Sequence, residues 1–180
     1  MVSFHFKERG DPDLMKLPNS FDINEWFVLI SMFIAFSVLH LLPKRFPLSI
    51  SILIMLYSST IARFADHILA MPRIDLYDIM NSPYYDLFDI FTYVLIGLAG
   101  YFFVYVYDLF RIKGFWIAVY IVIWSVFGTA YELLSSYFKV FIYKGWKPTY
   151  SFTFYLFIQS LTLLFFKYVT FIHQNTPKNN

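Results

Sequence analysis

The 180-residue chain contains no cysteine and few charged residues. The lack of cysteine excludes disulfide bonds, thiolate catalysis and cysteine-ligated metal ions, although it does not identify the redox compartment. Charged residues make up 14% of the chain, whereas about a quarter is usual in soluble domains. The net charge of +2 is spread without a continuous basic face, so the sequence gives no reason to expect a nucleic-acid partner.

Apolar residues make up 59% of the chain and are gathered in long blocks. A block of about 18 or more apolar residues predicts a membrane-spanning helix, because roughly 20 residues of helix cross the hydrocarbon core of a bilayer. Five blocks reach or approach this length, at residues 26–42, 48–70, 84–110, 115–138 and 152–173. The predicted fold class is therefore all-α: an integral membrane bundle of five transmembrane helices in a lipid bilayer, with residues 1–25 and 174–180 outside it.

The distribution of charge along the chain predicts its orientation in the membrane. With five spans, the N-terminus shares one side with the second and fourth loops, and this side receives eight basic residues and eleven of the twelve acids. The other side receives six basic residues, several of them in short loops, and only Asp108 as an acid. Because short basic loops tend to stay in the cytoplasm, we expect the N-terminus outside and the C-terminus inside. The first 25 residues lack the apolar core of a secretion signal, so the first span is expected to act as an uncleaved anchor.

Polar residues within the spans recur at helical spacing and predict stripes that face the interior of the bundle. On the second helix, Arg63, Asp66 and His67 share one face. The fourth helix carries small and polar residues around a single carboxylate: Ser125, Gly128, Thr129, Glu132, Ser135 and Ser136. Two further stripes comprise Asp86, Asp89, Tyr93, Gly97 and Gly100 on the third helix, and Ser151, Tyr155, Gln159 and Thr162 on the fifth.

The stripes reach similar depths below the same end of the bundle. At about 1.5 Å per residue, Asp66 lies about 6 Å from its helix end, Glu132 about 9 Å and Gln159 about 12 Å. The sequence therefore predicts an acidic intramembrane cavity that opens to the outside and takes a cation or a small polar ligand, with the first helix at the periphery. The predicted ligand-binding residues are Arg63, Asp66, His67, Asp86, Asp89, Glu132 and Gln159.

Each element of this cavity also has a purely structural interpretation. Asp86 and Asp89 open the third helix, where acidic residues favour the helix dipole. The small residues of the fourth helix are typical of a close-packing seam between membrane helices. A carboxylate within a span usually marks a functional or tightly paired site, so Glu132 is expected either to bind a ligand or to pair with Arg63 or His67.

Aromatic residues make up 23% of the chain and allow two interpretations near the fourth loop. Tyrosine and tryptophan favour the membrane interface, where their rings bridge apolar and hydrated zones. Tyr143, Trp146 and Tyr150 are therefore typical of an interfacial belt. Alternatively, the same residues cover the mouth of the predicted cavity.

Three classes of function are compatible with these residues. The leading one is a binding, sensing or accessory membrane protein that acts through the acidic cavity, alone or with a membrane-protein partner. The second is a small transporter or channel, and the third is a metal-dependent membrane enzyme acting on a lipid or cell-wall precursor. No metalloprotease, nucleotide-binding or hydrolase motif occurs, so the sequence favours a non-enzymatic function and specifies no cofactor.

The order of several motifs resembles a family of small multi-spanning membrane proteins of Bacillus, Clostridium and related spore-forming Firmicutes. The motifs are LLPKRFP, the DH of RFADHILAMP, DLYDIMNSPYYDLFD, GYFFVYVYD, RIKG, YELL, YKGWKPTYSF and QSLTLLF. The resemblance covers residues 41–167 and implies a protein of a bacterial plasma membrane. It implies no particular activity.

Reporter fusions truncated after Lys44, Arg73, Lys113 and Lys147 test the predicted orientation. Because these positions alternate between the two sides of the membrane, the Lys44 and Lys113 fusions should give cytoplasmic signals and the Arg73 and Lys147 fusions external ones. Alkaline phosphatase and green fluorescent protein provide opposite readouts at each position. A cytoplasmic signal from the Lys147 fusion would reverse the predicted orientation.

Overall fold

Five long helices and two short strands form the part of the chain that the computed structural model describes, residues 21–70, 74–80 and 87–176. The helices are α1 (Ile23–Leu41), α2 (Leu48–Leu69), α3 (Leu87–Leu109), α4 (Trp116–Tyr137) and α5 (Pro148–Asn175). The strands are β1 (Tyr77–Ile79), between α2 and α3, and β2 (Phe141–Tyr143), between α4 and α5. All five helices are long and apolar enough to cross a membrane, so the predicted all-α bundle is confirmed.

Local sequence explains where several helices begin and end. Asp22 caps α1 through a capping box, in which Glu25 Oε2 accepts the Asp22 backbone N–H at 2.9 Å. Pro148 begins α5, because its fixed φ suits the first helical position and that position needs no N–H donor. After α4 the chain turns at Lys139, whose φ of 60° is left-handed, and the Val140 N–H donates back to a carbonyl of the last turn. This Schellman-type ending leads directly into β2.

Small residues bring α2 and α3 together, as expected where lipid supplies no hydrophobic force between helices. A Cβ atom added to Gly100 would lie 2.0 Å from Ser58 Oγ and 2.7 Å from Ser58 Cβ. At Gly97 an added Cβ would lie 2.7 Å from Ser59 Oγ, and that hydroxyl donates to the Tyr93 carbonyl at 2.8 Å. Only glycine therefore fits at these two positions without displacing the neighbouring helix.

The stripe of small residues on α4 packs on α5 in a similar way. Gly128 lies against the ring of Tyr155, to which an added Cβ would come within 3.3 Å. The buried Ser125 donates to Gln159 Oε1 at 2.9 Å and joins the two helices by a hydrogen bond. The stripe thus forms a packing seam that also fixes the positions of Tyr155 and Gln159.

A two-stranded antiparallel sheet joins the loop after α2 to the loop after α4. Its register sets Tyr77 opposite Tyr143. The Leu76 carbonyl accepts the backbone N–H groups of residues 144, 145 and 146, at 2.9 to 3.1 Å. We call residues 76–79 and 141–146 the lid, because they cover one end of the bundle. These strands lie outside the elements predicted from the sequence.

Two buried apolar clusters stabilise the two ends of the bundle. Beneath the lid, the cluster consists of Val28, Met80, Phe88 and Val140. Toward the far end, it consists of Ile50, Ile54, Phe103, Val104, Tyr120, Leu163 and Phe166. At the far end itself, Arg45 Nε donates to Asp108 Oδ2 at 2.5 Å and links the first loop to the end of α3.

Gly100→Ala is expected to destabilise the protein. At an open helical position this change would stabilise by about 0.8–1 kcal/mol through helix propensity. Here the added methyl group collides with Ser58, and overpacking of this kind costs about 1–3 kcal/mol. The measurement is the free energy of unfolding in mixed micelles.

A second substitution controls for the cause of that loss. Ser58→Gly removes the atoms that collide with the new methyl group, so in the Gly100→Ala background it should recover most of the lost stability. A Gly100→Ala protein as stable as the parent would show that α2 and α3 are not held at this close approach.

Candidate ligand-binding site

The lid presents two tyrosines to the interior of the bundle. Side chains alternate along a strand, so the cross-strand partners Tyr77 and Tyr143 lie on the same face of the sheet. Ile142, on the opposite face, is 41% exposed, whereas Tyr77 is only 6% exposed. The Tyr77 hydroxyl donates to Asp66 Oδ1 on α2 at 2.5 Å. The Tyr143 hydroxyl donates to Glu132 Oε1 on α4 at 2.6 Å. The lid is thus attached to two helices through their carboxylates.

Glu132 is buried near the lid end of α4 and accepts hydrogen bonds from three hydroxyl groups. Tyr143 and Ser151 donate to Oε1 at 2.6 and 2.5 Å. Tyr155 donates to Oε2 at 2.5 Å. Ser151 in turn accepts the indole N–H of Trp146 at 2.6 Å, which fixes the Trp146 ring beside the carboxylate. All three donors to Glu132 are neutral, so they satisfy its oxygens without cancelling its charge.

Asp66 holds the corresponding position near the lid end of α2. Besides Tyr77, its carboxylate faces Tyr93 of α3. Arg63 lies nearly one turn earlier on α2, with its guanidinium carbon 5.7 Å from the centre of the Tyr93 ring, and its positive charge acts on Asp66. The two carboxylates therefore differ, because a guanidinium stands near Asp66 whereas hydroxyl groups surround Glu132.

Both carboxylates act on the tyrosines of the lid. Burial raises the pKa of the Tyr77 phenol far above its ordinary value, and the negative charges of Asp66 and Glu132 raise it further. Burial and the hydrogen bond to Glu132 likewise raise the pKa of the Tyr143 phenol. These phenols remain protonated donors at physiological pH. Because the charges of both Asp66 and Glu132 raise the pKa of Tyr77, the two carboxylates act on the same part of the site.

The outer surface of the lid carries its own ion pairs. Lys144 Nζ lies 2.8 Å from Asp75 Oδ1 and 2.9 Å from Asp78 Oδ2. Hydrogen bonds to these carboxylates raise the pKa of the Lys144 ammonium group. Exposed pairs of this kind contribute little to stability. They show, however, that Asp78 of the lid and the adjacent Asp75 lie on the outer surface and not in the interior.

Beneath the lid the helices enclose a cavity of about 550 Å³. Every helix lines it over a similar length, within residues 27–38, 58–69, 92–103, 124–135 and 151–162. Each stretch corresponds to about 16 Å of helix, so the cavity extends from the lid well into the bundle. Helix α1, expected at the periphery, in fact forms one wall. Among the described residues, the charged side chains that line the cavity are Asp66 and Glu132.

Three of the seven predicted ligand-binding residues line this cavity: Asp66, Glu132 and Gln159. Arg63 stands beside Asp66 without lining the cavity. His67 does not join the cluster: one residue along a helix is a rotation of about 100°, and this step turns His67 onto the exposed side of α2. The expected pairing of Glu132 with Arg63 or His67 is therefore corrected, because the donors to Glu132 are hydroxyl groups.

The two acids of the third helix take different places. Asp89 is buried in the first turn of α3, where the Thr92 hydroxyl donates to its carbonyl at 2.7 Å, and it does not line the cavity. Asp86 lies outside the described residues. The carboxylates that the structure brings to the cavity thus come from α2 and α4.

The predicted ligand-binding residues leave out five hydroxyl and aromatic groups of the site: Tyr77, Tyr143, Trp146, Ser151 and Tyr155. Ser151 and Tyr155 were visible as part of the polar stripe of the fifth helix, about two turns and one turn before Gln159. Tyr143 and Trp146 carried a signal as candidates to cover the cavity. No sequence signal marked Tyr77 as a site residue, because it stands among acids in a loop and its position depends on pairing with β2.

The described residues do not form the metal site that a metal-dependent membrane enzyme would need. Among residues 21–70, 74–80 and 87–176, no group of three or more His, Asp or Glu side chains is arranged to hold a metal ion. The site instead combines two carboxylates with phenol, hydroxyl and indole groups at the end of an apolar cavity. This chemistry suits an organic ligand that carries hydrogen-bond donors or positive charge.

Tyr143→Phe should lower the free energy of unfolding by about 1.5–3 kcal/mol, the range for a hydrogen bond to a charged group. The change removes one donor to Glu132 and one attachment of the lid. Tyr150→Phe is the matched control. The Tyr150 ring is 48% exposed and contacts Trp146, and its hydroxyl makes no hydrogen bond within the described part of the chain, so the change should stay within about 0.5 kcal/mol.

A double-mutant cycle assigns the loss to this hydrogen bond. In a Glu132→Gln background the charged acceptor is gone, so Tyr143→Phe should cost clearly less than in the parent. Equal losses in the two backgrounds would mean that the Tyr143 hydroxyl stabilises the lid through some other contact.

The geometry of the site is the basis for its interpretation, because no protein-family model, curated protein or solved structure matches this chain.

Proposed function

We propose that this protein is a multi-pass binding protein of a bacterial plasma membrane, and that its cavity, facing outward, takes a small ligand bearing an organic cationic group. In this role it senses the ligand or passes it to a membrane-protein partner, without transforming it. The observation that carries the proposal is Glu132: a buried carboxylate on the wall of a cavity, held by three neutral donors.

The charge of the cavity supports a cationic ligand. A carboxylate within a membrane span costs about 2.5–3.5 kcal/mol, and such residues commonly mark ligand or ion sites. Asp66 and Glu132 bring two negative charges to the same end of the cavity, and the side chains that line it among the described residues add no positive charge. A ligand with one positive group would relieve the repulsion between the two carboxylates.

The aromatic groups of the lid favour an organic ammonium group over a bare metal ion. Tyr77 and Trp146 lie edge to face with ring centres 5.8 Å apart, and Tyr143 and Tyr155 line the same end. Rings in this arrangement attract ammonium groups through their negative faces. The tyrosine hydroxyl oxygens can accept hydrogen bonds from a primary amine. A fully methylated ammonium group has no N–H to donate, but the ring faces attract it, so both kinds of cation are compatible with the site.

The cellular location in this proposal rests on sequence. The motif order resembles that of bacterial plasma-membrane proteins, and the charge distribution along the chain favours the lid end as the external one. In that orientation the carboxylates lie beneath the lid, at the outer end of the bundle. The first step of the function is then capture at the outer surface.

Equilibrium dialysis of labelled tetramethylammonium against the purified full-length protein tests the proposal. Parent protein should bind this probe more tightly than it binds neopentyl alcohol, an uncharged molecule of similar size that carries one hydroxyl group. Glu132→Gln and Asp66→Asn should each lower the affinity about tenfold or more. Asp108→Asn, which removes a carboxylate at the far end of the bundle, should leave it unchanged.

Stability measurements separate a binding role of Glu132 from a structural one. If the carboxylate serves a ligand, Glu132→Gln should weaken binding about tenfold or more while the free protein still folds, with a loss of stability no larger than that of its weakened hydrogen bonds. A variant that is strongly destabilised yet binds tetramethylammonium as well as the parent would contradict the proposal. Protein-dependent flux of the probe into sealed vesicles would instead identify a transporter.

A further inference from the structure

We infer that the ligand is a single-chain amphiphile whose amine or ammonium head lies between Asp66 and Glu132 and whose alkyl chain runs down the apolar part of the cavity, entering from the bilayer. This inference rests on the proposed function and deepens it by naming the ligand class. It follows from the division of the cavity into two chemically different parts, from its size and from the place where its wall meets lipid.

The polar and apolar groups of the cavity are separated along its length. The lid end holds the two carboxylates with their tyrosine and serine donors. Farther from the lid the wall is formed by residues such as Val38, Ala62, Ala99, Phe103 and Trp124. Three polar side chains, Ser58, Gln159 and Thr162, also line this part of the cavity. Two of them are hydrogen-bonded within the bundle: Thr162 donates to a carbonyl of its own helix at 2.8 Å, and Gln159 Oε1 accepts from Ser125 at 2.9 Å. A ligand matched to this division is polar at one end only.

The size of the cavity exceeds what a small cation needs. A volume of about 550 Å³ lies within the range of about 300–1,000 Å³ found for sites of drug-sized ligands. The cavity extends about 16 Å along the helices, and most of that length lies beyond the carboxylates. An isolated ammonium group would leave this apolar length unfilled, whereas one alkyl chain would occupy it.

Helix α1 provides a route between the cavity and the bilayer. Ile34 and Val38 line the cavity, and these residues are 56% and 40% exposed, so α1 does not seal this part of the wall. The ring contacts between α1 and α4 lie nearer the lid, where Phe27 stacks on Phe138 at 4.7 Å and approaches Tyr131 at 5.9 Å. Below these rings the wall of the cavity is open to lipid, so a chain can enter sideways while the head stays at the depth of the carboxylates.

Blocking the apolar part without touching the carboxylates tests this inference. The full-length protein is placed in nanodiscs of phosphatidylglycerol, a lipid without an amine, and is titrated with dodecyltrimethylammonium and with tetramethylammonium. Ala99→Phe puts a ring into the apolar part of the cavity, and Ala35→Phe does so from the α1 wall. Ala118→Phe is the matched control, because Ala118 is exposed on α4 and does not line the cavity.

The two probes distinguish the contribution of the alkyl chain to binding from that of the ammonium head. Each of the two blocking variants should lower the affinity for dodecyltrimethylammonium about tenfold or more, because the ring occupies the space of the chain, and should change tetramethylammonium affinity less than about twofold. Glu132→Gln should lower both affinities. Comparing variants in the same nanodiscs removes the effect of probe partitioning into lipid, and thermal unfolding verifies that each variant is folded.

Two results would overturn the inference in distinguishable ways. If tetramethylammonium binds but neither blocking variant weakens dodecyltrimethylammonium, the ligand is a small cation: the amphiphile is excluded and the proposed function stands. If neither probe binds to the parent protein, the proposed function fails and the amphiphile fails with it. Should one blocking variant prove unfolded, the other decides the outcome, because it blocks the cavity from a different helix.

Discussion

The arrangement of the lid end depends on hydrogen bonds from tyrosine hydroxyls to two buried carboxylates. Tyr77 and Tyr143 are cross-strand partners, yet one donates to α2 and the other to α4. The sheet therefore acts as a spacer whose width sets the separation of Asp66 and Glu132. Because α2 packs on α3 and α4 packs on α5, this connection ties together two pairs of helices. The mouth of the cavity exists because these bonds hold it at that width.

The choice of neutral donors has an electrostatic consequence. A guanidinium or imidazolium group directly on Glu132 would have satisfied its oxygens and cancelled its charge, leaving a structural ion pair. Hydroxyl groups satisfy the same oxygens and leave the charge in place. Burial raises the pKa of the Tyr77 and Tyr143 phenols, so both hydroxyl groups stay protonated and continue to donate to the carboxylates. The site thus combines full hydrogen bonding with a net negative potential, which a positively charged partner can neutralise.

The helices were predictable from the sequence because each signal repeats over many residues. Spans of about 20 apolar residues identified the bundle, and the spacing of Glu132 with its small neighbours identified the face of α4 that packs inward. The strands were not predictable, since three residues of each are too few to show a period and their pairing joins distant loops. His67 was misplaced for a related reason: sequence spacing gives a broad helical face, and only packing decides where that face ends.

The order of donors along the chain has a consequence for how the protein is made. Glu132 lies in the fourth helix, but Tyr143, Ser151 and Tyr155 all follow it, two of them in the fifth helix. During synthesis α4 must therefore enter the bilayer while its carboxylate has none of its final partners. A charge exposed in this way costs about 2.5–3.5 kcal/mol until α5 arrives. The last helix thus supplies two of the three hydrogen bonds that satisfy the carboxylate of the fourth.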